Sequence, residues 1–103
     1  MNARHLAFSP EAEDHLHALW HYIAQHADRS VADTYLESLY SHCERILLFP
    51  SAGRPREDLR PGVRTTSYRR RTLIVYRVTD DAVHILAVLH GGQDVSTTMD
   101  AAE

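Results

Sequence analysis

Apolar residues recur every three to four positions along the first half of the chain, which is the spacing of amphipathic helices. Residues 9–11, Ser-Pro-Glu, place an N-cap residue, a first-turn proline and an acid in the order that starts a helix. The apolar positions that follow fall on one helix face: Ala12, Leu16, Leu19, Trp20, Ile23 and Ala27. The pattern predicts a first helix that begins at Pro10 and is broken at residues 28–30.

A second helix is predicted directly after this break. Ser30 followed by Asp33 approximates a capping box and predicts a helix that opens at Ser30 and runs to about Leu48. Its apolar face is Ala32, Tyr35, Leu36, Leu39, Tyr40, Cys43, Ile46 and Leu47. Because the two helices are joined by a short turn, they predict an antiparallel helical hairpin.

Strand patterns precede and follow the hairpin. Residues 4–8 predict a short opening strand, and the prolines and glycines of residues 49–62 predict a loop. Further strands are predicted at 63–69, 71–78 and 82–89, and the last two are nearly continuous in apolar residues and therefore central. The expected fold class is α+β: an N-terminal strand and an antiparallel helical hairpin packed on one face of an antiparallel β-sheet.

One hydrophobic core is expected between the helices and the sheet. Its predicted members are Leu16, Leu19, Trp20, Leu36, Leu39, Ile46, Leu73, Val75, Ile85 and Val88. Trp20 is expected to be well buried, in which case Trp20→Ala would cost about 3–5 kcal/mol of stability.

Length and composition point to one small domain. With 103 residues, 44% hydrophobic, the chain is expected to form a single domain over residues 1–103, with residues 95–103 as a flexible tail. No apolar run approaches the ~18 residues of a membrane-spanning helix, and no signal-peptide core opens the sequence. The one cysteine, Cys43, cannot form an internal disulfide. These features predict a cytoplasmic protein with no membrane partner.

The positive charges are concentrated in one segment. Residues 54–77 contain eight arginines and two acids, a net charge of +6, whereas residues 1–53 carry −4 and residues 78–103 carry −5. An acidic–basic–acidic order predicts a basic face that meets an anionic partner, either nucleic acid or an acidic peptide. The alternative is a solvated face whose arginines pair with Glu57, Asp58 or Asp80.

Side chains that could carry chemistry are few. His17 and His21 are spaced i, i+4 with Asp14 one turn before, which is compatible with metal ligation, but solvated histidines are the favoured interpretation, and no metal or cofactor is expected. Cys43 and His84 are predicted to be a core residue and a half-buried packing residue. Arginine and tyrosine alternate along two predicted strands and could grip a phosphate backbone from one sheet face: Arg64, Thr66 and Tyr68, then Arg71, Leu73, Val75 and Arg77.

The ordered set of motifs resembles the ParE branch of the RelE/ParE toxin superfamily. The motifs are FSPEAEDHLHALWHYIAQH, LLFPSAGRPREDLRPGVR and YRRRTLIVYRVTDDAVHILAVLHGGQD, and the resemblance covers residues 6–94. It implies the toxin of a type II toxin–antitoxin module, which inhibits DNA gyrase without catalysing a reaction and is neutralised by a ParD-like antitoxin. Operator DNA would be contacted only through the antitoxin. The family commonly has Arg where this chain has Gly92.

The resemblance also assigns expected surfaces. The residues expected to bind the target are Arg64, Arg69, Arg70, Arg71, Arg77 and His90. The second helix carries more apolar surface than one sheet can bury, which is typical of a peptide groove. The residues expected to bind the antitoxin there are Tyr35, Leu36, Leu39, Tyr40 and Leu47.

Two alternatives to gyrase inhibition remain open. RelE-type relatives cut mRNA on the ribosome, and in that interpretation the catalytic candidates are His90, Arg71, Arg77 and Tyr76. His90 would be the acid–base group, because arginine does not deprotonate and the chain has no lysine. The second alternative is an inactive toxin remnant that only binds its antitoxin.

Overall fold

A computed structural model describes residues 4–91, so that Gly92 and the expected tail at 95–103 lie outside the described residues. The elements in chain order are β1 (His5–Phe8), α1 (Pro10–His26), α2 (Arg29–Leu48), β2 (Arg54–Pro55), β3 (Val63–Tyr68), β4 (Thr72–Val78) and β5 (Ala82–His90). The predicted helical hairpin, opening strand and three-strand meander are confirmed. Within residues 4–91, neither helix combines the length and the apolar character that crossing a membrane requires.

The start of α1 is the predicted one, and it also fastens the helix to the sheet. Ser9 Oγ accepts a hydrogen bond from the Ala12 N–H (3.1 Å), as an N-cap does. The same hydroxyl donates to the Leu86 carbonyl (3.1 Å), and the Ser9 N–H donates to the Ile85 carbonyl (3.0 Å). The N-cap therefore fixes where α1 leaves the sheet.

The start of α2 differs from the prediction. Asp28, not Ser30, is the N-cap: its carboxylate accepts from the Val31 N–H (2.8 Å), and the helix begins at Arg29. A carboxylate is favoured at this position because it both caps a free N–H and faces the positive end of the helix dipole. The break between the helices is therefore shorter than predicted.

The five strands form one mixed sheet in the order β1-β5-β4-β3-β2. The expectation of a purely antiparallel sheet is wrong at one edge, because β1 pairs with β5 in parallel, with His5 opposite Ala82. Along the chain, the whole helical hairpin separates β1 from the meander. Parallel strands need a long connection of this kind, because a tight turn joins only antiparallel strands. β4 and β5 are central, as predicted, and the predicted loop contributes the two-residue edge strand β2.

The sheet is buried on both faces, so that the prediction of one core is also wrong. The core under the helices consists of Ala12, Leu19, Leu39, Cys43, Ile46, Tyr68, Ile74, Tyr76, Val83, Ile85 and Val88. A second cluster on the other face consists of Val63, Val75, Ala87 and Leu89, with Leu59, Leu73 and Leu86 packed against it. Leu73 and Val75 belong to this second cluster, because side chains alternate between the faces of a strand.

Trp20 is half-buried, with its Nε1–H donating to Asp33 Oδ1 (2.8 Å), and therefore lies at the rim of the hairpin interface. We expect Trp20→Ala to cost about 1–2 kcal/mol, less than the 3–5 kcal/mol of a core tryptophan. Leu19→Ala, at a buried position beside it, should cost about 2–5 kcal/mol. Urea unfolding of both variants measures the difference, and a larger loss for Trp20→Ala would place Trp20 in the core.

Candidate functional site

The β3–β4 connection is a turn of three arginines, Arg69, Arg70 and Arg71, which we call the arginine turn. All three side chains are exposed. The backbone is left-handed at Arg69 (φ 52°) and Arg70 (φ 66°), a conformation that tight hairpins usually give to Asn-Gly. Such a conformation costs ~1–2 kcal/mol for each residue with a Cβ. The turn thus presents three guanidinium groups at an energetic cost, and it is longer than the single residue predicted between 63–69 and 71–78.

Arg69 is held by two tyrosine rings. Its Cζ lies 5.2 Å from the centroid of the Tyr68 ring and 5.9 Å from that of Tyr35. The two rings meet edge to face, with centroids 5.4 Å apart. Cation–π attraction of this kind orients a guanidinium while leaving its N–H donors available for an anion.

A cavity of about 390 Å³ opens beside the arginine turn, between α1 and the end of β5. It is lined by His15, Ala18, Leu19, Tyr22, Arg71, Val88, His90 and Gly91. Its volume is within the ~300–1,000 Å³ range of small-molecule sites. Two imidazoles, a phenol and a guanidinium therefore share one concave surface.

His90 stands at the end of a hydrogen-bonded chain. Its Nδ1 lies 3.0 Å from Thr72 Oγ1, which in turn lies 2.7 Å from the Tyr35 hydroxyl. Burial lowers the pKa of His90, and the nearby Arg71 guanidinium lowers it further. The ring is therefore biased toward its neutral form. The hydroxyls of Thr72 and Tyr35 can each donate or accept a hydrogen bond. The contact at Nδ1 is therefore compatible with either tautomer of His90, and Nε2 can be an acceptor or a donor.

His15 joins α1 to the sheet through a main-chain hydrogen bond. The Val88 N–H donates to His15 Nδ1 (3.1 Å), so that Nδ1 is unprotonated and the ring proton sits on Nε2. Burial lowers the pKa of His15, while Asp14 and Glu11 act in the opposite direction and raise it. The neutral ring is needed for the bond, since an imidazolium has no acceptor.

Acidification should therefore weaken the fold. The native pKa of His15, and that of His42, lies below the ordinary 6.5, because burial disfavours the charged ring. The unfolded chain then binds the proton first as the pH falls, so that the stability present above pH ~6.5 is lost as the pH falls through the native pKa. Urea unfolding at pH 7.5 and pH 5.5 should show this loss. His15→Gln should reduce it, whereas His17→Gln, at an exposed position on the same helix, should not.

The structure brings only part of the predicted target-binding set together. Arg71 and His90 line the same cavity, and Arg69 and Arg70 lie beside Arg71 in the arginine turn. Arg64 is elsewhere, donating to the carbonyls of Ser51 (3.1 Å) and Gly53 (2.8 Å). Arg77 is exposed near the other end of β4, with Val63 as its pairing partner, on the face away from the helices. The predicted single arginine–tyrosine sheet face is thus divided between two faces, because residues 64, 66 and 68 pair with 76, 74 and 72.

Tyr76 is buried and holds a loop in place. Its side chain is 1% exposed, and its hydroxyl donates to the Pro50 carbonyl (2.8 Å) and accepts from the Gly53 N–H (3.0 Å). Burial raises the pKa of this phenol. Tyr76 therefore ties the loop after α2 to the sheet, away from the cavity that His90 lines.

The residues expected to bind an antitoxin differ in accessibility. Tyr40 is 49% exposed, and its ring stacks on Phe8 at 5.8 Å. Leu39 is completely buried, while Tyr35, Leu36 and Leu47 are half-buried against the core. The more exposed apolar side chains at the end of α2, Leu48 at 72% and Phe49 at 64%, were not among those predicted.

Sequence reasoning also missed His15 and Tyr22, which line the cavity. Both lie on the helix face of Leu19, four residues before it and three after it, and that spacing was the available signal. Cys43 is a core residue, as predicted, with its pKa raised to about 12 by burial, and His84 is half-buried as expected. Within residues 4–91, no three His, Cys, Asp or Glu side chains lie together as a metal site would require.

Ion pairing leaves most of the basic segment uncompensated. Arg56 forms an ion pair with Asp58 at 2.9 Å, and none of the three arginines of the turn pairs with a described carboxylate. Glu57 is used differently, because its carboxylate accepts from the Gly62 N–H (2.9 Å). Of the acids expected to neutralise the arginines, Asp58 does so for Arg56, whereas Glu57 binds the backbone of the loop.

The fold, a helical hairpin on a mixed sheet, has a counterpart among solved structures. It superposes with a TM-score of 0.76 on a chain from the chromosomal ParDE toxin–antitoxin system of P. aeruginosa, which is 22% identical. The match covers 87% of this chain and 98% of that one.

Sequence comparison defines the branch. The family described as "ParE toxin of type II toxin-antitoxin system, parDE" matches residues 6–95. Toxin ParE1 of Mycobacterium tuberculosis is 33% identical over 100 residues, which is 96% of this chain and 100% of that protein. Toxin ParE3 of Caulobacter vibrioides is 36% identical over 69 residues, covering 67% and 68% of the two chains. The chain belongs to the ParE toxin family of type II toxin–antitoxin systems.

Proposed function

We propose that this ParE-family toxin inhibits DNA gyrase in the cytoplasm and is neutralised by a ParD-like antitoxin. The arginine turn supports an anionic target, since it displays three cations at a cost in backbone energy and none of the three forms an ion pair with a described residue. Gyrase is favoured over the ribosome because the chain belongs to the ParE family. The complex of gyrase with DNA carries many negative charges, so that a surface rich in arginine is attracted to it.

The apolar end of α2 supports an antitoxin partner. Tyr40, Leu48 and Phe49 are each about half exposed or more, and they lie within ten residues of one another at the end of one helix. Large exposed apolar groups of this kind mark a protein-binding surface. An amphipathic antitoxin segment laid along α2 would cover them, and the ParDE identity of the structural relative fits that arrangement.

We expect the chain to bind the antitoxin encoded beside it with nanomolar or tighter affinity. Co-expression with a tag on one partner, followed by pull-down, measures this. Phe49→Asp should weaken the complex roughly tenfold or more, because it places a charge where an apolar contact is proposed. Glu37→Gln, at another exposed position of α2, is the matched control and should bind as the unchanged chain does. Two proteins that purify independently would contradict the antitoxin assignment.

The target is tested by induction without the antitoxin. A gyrase inhibitor should stop incorporation of labelled thymidine while incorporation of labelled amino acids continues, and the purified chain should block DNA supercoiling by gyrase. The second candidate, a ribosome-dependent mRNA endonuclease, is favoured by one observation: the Tyr35–Thr72–His90 chain beside Arg71. That candidate predicts the reverse order of arrest. Growth that continues after induction would identify an inactive remnant.

A further inference from the structure

The larger cavity, of about 390 Å³, combines an apolar floor with aromatic rings and a cation. Leu19 and Val88, which line it, are buried residues of the core under the helices. Tyr22, which is 48% exposed, and His90 stand beside them with their ring centroids 5.7 Å apart. Arg71, an exposed cation, lines the same cavity. Such a cavity fits an aromatic group that is carried next to an anion.

The charges around this cavity are divided between its two walls. On α1, burial lowers the pKa of His15 and the carboxylates of Asp14 and Glu11 counteract that effect, so that both acids lie near this wall. The wall at the arginine turn carries Arg71, and none of the three arginines of the turn pairs with a described carboxylate. A ligand is therefore favoured when its negative charges lie on one side of the inserted group only.

This division of charge distinguishes between classes of polymer. A nucleic acid has a phosphate on each side of every base, so that inserting a base would bring one phosphate toward the acids of α1. A peptide can carry an aromatic side chain with acids on one side and neutral residues on the other. Aromatic side chains are also effective anchors of protein interfaces, because they bury a large area while few torsions are fixed. The cavity therefore favours a peptide over a nucleic acid.

A second cavity, of about 210 Å³, joins the arginine turn to α2. It is lined by Ser30, Val31, Thr34, Tyr35 and Arg69. Val31 is 46% exposed, and the guanidinium of Arg69 lies over the Tyr35 ring at 5.9 Å. A segment that lies along α2 would therefore meet the arginine turn at the start of this helix, and crossing the turn would bring it to the larger cavity.

We propose that the antitoxin inserts an aromatic side chain into the larger cavity and places neighbouring acidic residues on the arginine turn. The antitoxin segment carries these acids on one side of the aromatic residue and none on the side that faces α1. This inference rests on the antitoxin partner proposed above, and it extends the contact from the apolar end of α2 to a second surface. Neutralisation is then direct competition, because the turn cannot contact the target while the antitoxin occupies it.

Chemical footprinting of the co-expressed complex is the direct test. Phenylglyoxal modifies exposed arginines, and mass spectrometry measures the modification rate of each arginine in the full chain, alone and bound to the antitoxin encoded beside it. Arg70 and Arg71 should lose most of their reactivity in the complex. Arg4, whose Nε donates to the Thr79 carbonyl (2.8 Å) at the far end of β4, is the internal control and should react equally in both.

The other outcomes of the footprint overturn the inference in distinguishable ways. A complex in which Arg70 and Arg71 stay as reactive as in the free chain would overturn it while leaving the antitoxin partner in place. Failure to isolate any complex would overturn both proposals. Loss of reactivity in the free chain as its concentration rises would identify a second copy as the occupant. Protection by a mixed-sequence RNA octamer, but not by the antitoxin, would identify a nucleic-acid site.

Variants of the cavity test the aromatic anchor, with antitoxin affinity measured by surface plasmon resonance. Tyr22→Ala should weaken binding roughly 30-fold or more, the loss typical of a central aromatic contact, whereas Tyr22→Phe should retain most of the affinity. Ala18→Phe places a ring at an exposed position that lines the cavity and should weaken binding by filling it. His17→Phe places the same ring at the neighbouring exposed position and is the matched control. Equal affinities for His17→Phe and Ala18→Phe, or an unchanged affinity for Tyr22→Ala, would overturn the inserted side chain.

Discussion

Gly53→Ala is expected to destabilise the fold by about 2–4 kcal/mol, although it adds one methyl group to a loop. A Cβ at Gly53 would lie 2.9 Å from Cε1 and Cζ of Tyr76 and closer still to Oη. Tyr76 cannot retreat easily, because its ring is buried in the helix-face core and its hydroxyl donates to the Pro50 carbonyl. The methyl group therefore forces an overpacked core and breaks the hydrogen bond from the Gly53 N–H.

A double-mutant cycle isolates the cause. Tyr76→Phe alone should cost about 1–3 kcal/mol, since two hydrogen bonds of a buried hydroxyl are lost. In the Tyr76→Phe background, Gly53→Ala should cost less than in the unchanged chain, because the nearest atom, Oη, has gone. Ser51→Ala, at an exposed position in the same loop, should stay within ~0.5 kcal/mol. A Gly53→Ala loss below that value in urea unfolding would show that Tyr76 does not hold the loop.

Local sequence signals predicted the elements well, and failed where two signals competed. The proline at position 10 and the serine before it defined the start of α1, because few other conformations use that pair. At the second helix, Asp28 and Ser30 are both good N-caps, and the apolar pattern alone does not decide between them. In the folded chain α1 ends at its C-cap Ala27 and α2 begins at Arg29, so that Asp28 is the N-cap.

The sequence pattern could not predict which strands pair, or which sheet faces are covered, when the residues involved are far apart in the chain. Alternation in β4 indicated that Leu73 and Val75 share a face, but not that this face has its own core. That depends on the loop that brings Leu59 over the sheet, and on the register shift in the β4–β5 pairing between Val75 and Tyr76. The parallel pairing of β1 with β5 likewise depends on how the helical hairpin packs, because this packing determines where the chain re-enters the sheet.

The candidate site was predicted in its charges but not in its geometry. The arginine cluster and His90 were evident from the sequence, whereas left-handed backbone at Arg69 and Arg70 contradicts ordinary turn preferences and could not be inferred. The cavity requires α1 to lie against β5, which is fixed by contacts between residues more than 70 positions apart, such as Val88 with His15. These contacts explain why His15 and Tyr22 entered the site only with the structure.

Reversing the charge of the arginine turn should abolish growth arrest after induction, whichever target the toxin has. Arg70→Glu combined with Arg71→Glu replaces two cations by two anions at exposed positions, which should repel either gyrase–DNA or ribosomal RNA while leaving the fold nearly unchanged. Viable counts after induction measure the effect, and circular dichroism checks the fold. Arg4→Glu, which reverses one charge at the other end of the sheet, is the control for charge reversal away from the turn and should remain toxic. Toxicity that survives the turn reversal would remove the turn from the target surface.

His90→Gln separates the two targets that the turn reversal cannot distinguish. Glutamine preserves a hydrogen bond to Thr72 Oγ1 but cannot shuttle a proton, so that a toxin acting by docking on gyrase should keep most of its activity. A nuclease would lose its acid–base group, and its cleavage rate should fall by ~10²–10⁴-fold. The readouts are inhibition of gyrase supercoiling and cleavage of mRNA on ribosomes by the purified variant. Inhibition of gyrase that persists in His90→Gln supports the proposed function. If the unchanged chain leaves gyrase active but cleaves mRNA, and His90→Gln loses that cleavage, the proposed function is replaced by ribonuclease activity centred on His90.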